Sequence, residues 1–456
     1  MNKFHIYILL LFISLSCDPA IRPKEQFLKR VQKGTVLNNI VCKIAPGQSY
    51  CLYLPTSYSV KKTYPVIFAF DSHGSGRLPV ELMKNAAEES GYILVGSNDF
   101  HNGLGSDEMQ DIANNLLMET KQNLSIDTLR MYTAGFSGGA RFACAVAQYN
   151  YGIRGVIACS AGFQPGNNAP GFHFIGIAGT QDMNYLEMKR LDEKLESMNA
   201  RHQLLIFEGK HQWPPEVLMH KAITLLDLYA MKDKLQPVNK KSISTFESKN
   251  TQDAKHLMET KSPDSLAKAC LLLKQSIGML DGLTDVGGQK TILTNLQQQP
   301  EVQNYFNAEL SLEKYEFQKQ QELVAAFESK PSKWWQAQLA EFEQISKENG
   351  AMKNVAKRLL GYVSLSCYSY VNRALQTQNW KAAELYTGIY QQADPENTEC
   401  YYDLACLKAN TGKTDDAIVH LQKAIQLGFH DITRLQNDPL LKTLHGLPAF
   451  EEMLKK

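Results

Sequence analysis

The sequence has no H-E-x-x-H pair, no pair of C-x-x-C motifs and no G-x-x-x-x-G-K-[ST] loop. Those absences leave no expectation of a resident metal, a phosphate-cradling loop or an organic cofactor. An excess of charge is missing too. The 48 Lys and Arg stand against 47 Asp and Glu, a net charge of +1, too little to draw a nucleic acid by its phosphates. The apolar run at 4–13, broken only by His5, is far shorter than the ~20 residues of a normal membrane span. Nine cysteines occur, with no metal-ligand spacing among them.

What is present begins with Gly135-Phe136-Ser137-Gly138-Gly139. The pentapeptide fits G-x-S-x-G, a strained turn that lifts a serine oxygen above the edge of a sheet. An apolar stretch at 129–134 predicts a strand before it, and 140–148 predicts a helix after it. That context gives the motif its meaning, because the helix N-terminus behind the serine favours developing negative charge. The bland alternative is a tightly packed turn with an idle serine.

Two further residues follow in the order Ser, Asp, His. Residues 172–178 read as a strand running into Gly179-Thr180-Gln181-Asp182, and 203–207 as another running into a loop that carries His211. Both residues therefore lie past the carboxyl ends of strands, on the rim where open α/β sheets gather their sites. A histidine can take the serine's proton and a carboxylate can orient the histidine. Alone, Asp182 could cap its helix, and His211 could be a loop residue with a satisfied hydrogen bond.

Residues 33–235 resemble the α/β-hydrolase family, and most closely its small esterases of the polyhydroxyalkanoate-depolymerase and feruloyl-esterase-like branch. The matching segments are 68–76, 135–139, Ser160-Ala161-Gly162, 179–182 and Gly209-Lys210-His211-Gln212-Trp213. The resemblance implies a serine esterase with Ser137, Asp182 and His211 as its triad, and no cofactor. It further implies an oxyanion loop at His73-Gly74, where Ser75, or Gly74 beside it, donates together with Gly138. His73 is then either a loop-shaping residue or a substrate-binding group. The rim loop 97–103 offers Asn98 and Asn102 either as substrate-pocket groups or as turn residues. The short interval between Ser160 and Asp182 leaves little room for a lid, so an open, shallow site is expected. The substrate is an ester of unknown acyl and alcohol parts.

The fold class expected is α/β, a mostly parallel sheet with helices on both faces, followed by an all-α helical repeat domain. Opening strands around Pro46-Gly47 would bring Cys42 and Cys51 nearly opposite, and export would permit a bridge. Cys144, Cys159, Cys270, Cys367 and Cys406 read as core fillers. The polar, Lys- and Ser-rich stretch 236–250 reads as a linker. A piece spanning 18–240 is accordingly expected to fold alone. The stretch 251–350 reads as helical, with Trp334-Trp335 as packing residues or a seam. Residues 351–456 resemble tetratricopeptide repeats, with Ala383 and Ala417 34 residues apart. Such arrays present a peptide-binding face. The alternative is a helical appendage that only covers the hydrolase.

Residues 1–17 read as an export signal, with Lys3 before the apolar run. The ending Ser14-Leu15-Ser16-Cys17 resembles a bacterial lipobox, with Leu15 two residues before the cysteine rather than the usual three. The resemblance implies a lipid on Cys17 and a membrane-anchored lipoprotein of the cell envelope. Plain secretion or a periplasmic location is the alternative. Two functions follow: an exported esterase with a helical domain for protein interaction or substrate positioning, or an adaptor lipoprotein whose hydrolase domain is inactive.

Overall fold

The computed structural model describes residues 23–149 and 152–455. The expected signal segment and Cys17 lie outside them. Eight strands form one sheet: β1 (Val36–Val41), β2 (Ser49–Tyr53), β3 (Tyr64–Phe70), β4 (Ile93–Ser97), β5 (Ile126–Phe136), β6 (Ile153–Cys159), β7 (His173–Gly179) and β8 (His202–Phe207). Their order is β1-β2-β4-β3-β5-β6-β7-β8. The opening hairpin and the β2–β4 pair are antiparallel, and the remaining pairs are parallel. Helices α1 (Pro23–Leu28), α2 (Arg77–Ser90), α3 (Ser106–Asn123), α4 (Gly138–Gln148), α5 (Tyr185–Ser197) and α6 (Glu216–Lys232) complete this part.

The central strands are buried on both faces, and their side chains alternate between two cores. In β3, Val66, Phe68 and Phe70 join Leu116 of α3, Phe142 of α4 and Leu191 of α5. Ile67 and Ala69 of the same strand join Met83 of α2 and Leu226 of α6. The α/β sheet with helices on both faces is therefore the fold, and the helices beyond residue 235 make the rest of the chain all-α. Among the described residues, no helix is long and apolar enough to cross a membrane, and no group of His, Cys, Asp or Glu is arranged to hold a metal.

The helical part runs through α7 (Lys240–Glu259), α8 (Pro263–Leu280), α9 (Gly287–Gln297), α10 (Pro300–Ser329), α11 (Ser332–Lys347), α12 (Met352–Gln376), α13 (Trp380–Ala393), α14 (Thr398–Asn410) and α15 (Thr414–Gln426). The linker expected at 236–250 is corrected by α7, which occupies most of it. Asn239 caps that helix, accepting from the Ser242 N–H at 3.1 Å. Ile243, Phe246, Asn250 and Ala254 are buried along one side of it, a stripe at helical spacing. The polar residues that suggested a linker are its solvent face.

The core of the sheet part also continues past residue 240. Ile243, Phe246, Met279, Leu280 and Val286 belong to the same core as Ile67 and Leu226. The core on the α2 and α6 side of the sheet is thus extended by α7, α8 and the turn after α8.

Further on, α12 packs with α13 and α14 with α15 as successive hairpins. Ala383 and Ala417 are fully buried at matching places in α13 and α15. Trp335 is buried, its ring 4.6 Å from that of Phe327, and Trp334 packs at the edge of the same core.

The described cysteines are all unbridged and buried. Cys42 and Cys51 are not opposite one another, because Cys42 pairs through its N–H with Gln48 O, at 2.9 Å. Cys51 instead faces the second core, while Cys42 lies beside Tyr50 and Leu116 of the first.

Phe246→Ala should lower stability by about 3–5 kcal/mol, the usual cost of emptying a buried aromatic site. Urea denaturation followed by circular dichroism checks this. A free linker would show no measurable change.

Candidate active site

Ser137 sits between β5 and α4 with φ 55° and ψ −121°, a conformation that costs a non-glycine residue of order 1–3 kcal/mol. The surroundings over-determine it. Its N–H donates to Cys159 O of the neighbouring strand at 2.9 Å. A Cβ on Gly135 would lie 2.1 Å from Gly139 O, and one on Gly139 would lie 2.1 Å from Phe70 O. Only glycine at both places allows the helix to start this close to the sheet. The turn therefore projects the half-buried serine hydroxyl upward at the carboxyl edge of the sheet.

His211 lies on the loop after β8. Its Nε2 is 2.9 Å from Ser137 Oγ, and its Nδ1 is 2.9 Å from Asp182 Oδ1. With Nδ1 protonated, the imidazole donates to Asp182 and presents Nε2 as an acceptor to the serine hydroxyl. Its ring rests against Phe136, centroids 4.8 Å apart. The Asp182 carboxylate is fully buried, and its Oδ1 also accepts from the Asn184 N–H at 2.8 Å. Asp182 Oδ2 has no hydrogen-bond partner among the described residues. The acid and histidine loops are joined by backbone: the Thr180 N–H donates to Phe207 O and the Gln181 N–H to Gly209 O, both at 2.8 Å. The structure thus brings Ser137, His211 and Asp182 into one hydrogen-bonded line.

The loop after β3 faces the elbow. Gly74, with φ +75°, gives its N–H to Asp71 O at 3.3 Å, so it is spent on the turn. That leaves Ser75 as the donor expected from this loop. Gly138 opens α4, and its N–H is among those a helix N-terminus leaves without an intrahelical acceptor.

Asp71 organises this loop from below, a role the sequence reading missed. It accepts the His73 N–H at 2.9 Å and the Trp213 indole N–H at 2.7 Å. Burial alone would raise its pKa, but the bonds from His73 and Trp213 outweigh that and hold it below the ordinary carboxylate value. The bond to Asp71 in turn raises the pKa of His73. Trp213 also lies 5.6 Å from Phe136, centroid to centroid. One indole thus ties the histidine loop to the loop after β3. The pairing of a buried Asp71 with a tryptophan 142 residues away leaves no periodic signal in sequence.

His73 points outward at the mouth, its side chain 79% exposed, and its backbone forms an isolated bridge with His101. Asn102 is exposed, and its amide covers Gly138 closely enough to collide with any side chain there. Asn98 is turned toward the opening hairpin. Its amide donates to Asn38 O at 2.9 Å and Ser49 Oγ at 3.1 Å, fastening the opening hairpin.

No family model matches the chain, and no curated protein does. Solved structures do align with part of it. An S-formylglutathione hydrolase from Staphylococcus aureus is 14% identical over 43% of this chain and 98% of its own, with a TM-score of 0.35. The feruloyl esterase module from Clostridium thermocellum is 14% identical over 41% of this chain and 85% of its own, with a TM-score of 0.34. An esterase from Thermogutta terrifontis is 14% identical over 45% of this chain and 96% of its own, with a TM-score of 0.35.

Proposed function

We propose that the chain is a serine esterase acting on carboxylic esters through an acyl-enzyme. The observation that carries this reading is the line Asp182–His211–Ser137, both links 2.9 Å long, built on a strained serine. Ser137 Oγ attacks the ester carbonyl carbon while His211 Nε2 takes its proton. Asp182 holds the imidazole tautomer and stabilises the imidazolium. The oxygen that gains charge lies toward the Gly138 and Ser75 N–H groups, where preorganised donors act most strongly. Collapse of the tetrahedral intermediate breaks the C–O bond to the alcohol, and the leaving oxygen takes the proton from Nε2. Water then repeats the attack with the same base and frees the acid and Ser137. His73 and Asn102, at the mouth, are the candidate groups for contacting substrate.

The envelope location is part of the proposal. Cys17 would carry the lipid. The segment just after it is basic: between 18 and 62 stand Arg22, Lys24, Lys29, Arg30, Lys33, Lys43, Lys61 and Lys62 against Asp18 and Glu25. Such a segment adds electrostatic attraction to an anionic lipid surface. The helical part would serve protein interaction or substrate positioning.

Full-length protein should hydrolyse short-chain p-nitrophenyl esters and react with a fluorophosphonate probe. Ser137→Ala should abolish both, and Asp182→Asn should lose up to ~10⁴ in kcat while keeping the fold. A wild-type protein inert to ester and probe alike would favour the inactive adaptor. Unchanged turnover in Ser137→Ala would remove Ser137 from the mechanism.

Cys17→Ala should release the protein from membranes or alter its processing. Mass spectrometry of the mature N-terminus checks this, and an unlipidated terminus elsewhere would leave ordinary secretion.

A further inference from the structure

The loop that carries Asp182 is gripped from a part of the chain far beyond the sheet. Arg358 lies in α12 and is 5% exposed, and Glu316, in α10, is fully buried. The guanidinium donates to both Glu316 oxygens, from Nε at 2.9 and 3.0 Å and from Nη2 at 2.6 Å. Its remaining arm, Nη1, donates to Thr180 O at 2.6 Å. The same group lies over the Tyr185 ring, 4.4 Å from its centroid. One residue earlier in α12, Lys357 Nζ donates to Gln181 Oε1 at 3.1 Å. One turn later, Gly361 lies against Met183, close enough that a Cβ there would be 3.3 Å from Met183 Cβ. Residues 180, 181, 183 and 185 are therefore all held by α12, and Asp182 sits among them.

Beyond the loop, α10 also holds α5. Lys189 pairs with Glu313 at 3.4 Å, and Arg190 lies over the Phe317 ring at 3.5 Å. The acid loop is thus stitched to the histidine loop on one side and clamped by two long helices on the other.

The clamp matters because of how little holds the carboxylate itself. Both of its hydrogen bonds converge on Oδ1, and Oδ2 has no partner among the described residues. The position of Oδ1 relative to His211 then depends on where the loop backbone is held. Arg358 is suited to that task, since its planar fork can satisfy a carboxylate and a carbonyl at once. Its charge is neutralised at short range by Glu316, so its main effect on the triad is placement rather than field.

We propose that Arg358, held by Glu316, is a positioning residue for catalysis: it fixes the Thr180–Met183 loop, and through it the Asp182 carboxylate, so that the helical part belongs to the catalytic unit. This rests on the triad reading above.

The test uses the full chain and two variants, Arg358→Lys and the double variant Arg358→Met/Glu316→Gln. The first keeps a positive charge opposite Glu316 but cannot span both acceptors. The second removes both charges, leaving neither buried and unpaired. Turnover of p-nitrophenyl esters is measured against pH, with thermal melting alongside. For a displacement approaching 1 Å, kcat should fall by up to about 10²-fold with KM little changed. A variant that melts like wild type yet shows the lower kcat at little-changed KM supports the clamp. Folded variants with the wild-type kcat and pH profile overturn it while the esterase reading stands. A wild-type chain inert to ester and fluorophosphonate overturns both.

Discussion

The backbone at Ser137 is the constraint on which the site depends. A left-handed serine between a buried strand and a helix is unfavourable in isolation. It persists because β6 accepts its N–H and because α4 approaches β3 and β5 at distances only glycines permit. The strain and the packing are one feature. The sheet core fixes where α4 must start, and that start sets both the serine oxygen and the Gly138 N–H. The hydrophobic contacts around Phe70 and Phe142 therefore supply the rigidity on which any chemistry at the rim would draw.

Around that point the loops are held to each other rather than standing free. Asp71 binds Trp213 across the sheet, and backbone bonds join the loops after β7 and β8. The result is a rim whose polar groups are held in place before any ligand arrives. Preorganisation of this kind is what makes donors effective toward developing charge.

Much of this was legible in the sequence, for a physical reason. Buried parallel strands write short apolar runs, and strained turns write glycines at fixed offsets, so the sheet, Ser137, Asp182 and His211 all left local marks. What was not legible depends on contacts distant in sequence. The stretch 236–250 looks like a linker because only Ile243 and Phe246 mark its buried stripe, and helix α7 is visible only once the sheet face it covers is known. Asn98 reads in sequence as either a pocket group or a turn residue, and its bonds to β1 and β2 are not visible there. Arg358 and Glu316 read as ordinary solvated charges in amphipathic helices, and 42 residues separate them. Cys42 and Cys51 flank a turn as a bridged pair would, but the register sets Cys42 opposite Gln48, three residues short of Cys51, and the two face different cores.

The late completion of the core on the α2 and α6 side of the sheet bears on the order of events during synthesis. A chain grown only to residue 235 already contains Ser137, Asp182 and His211. Yet the core that holds Leu226 still lacks Phe246, Leu280 and Val286. For that interval the nascent chain carries its candidate site with part of this core still open to solvent. Exposed apolar surface of this kind makes partly synthesised chains prone to aggregate. A chain read as exported would then gain from being kept unfolded until its whole length has crossed the membrane.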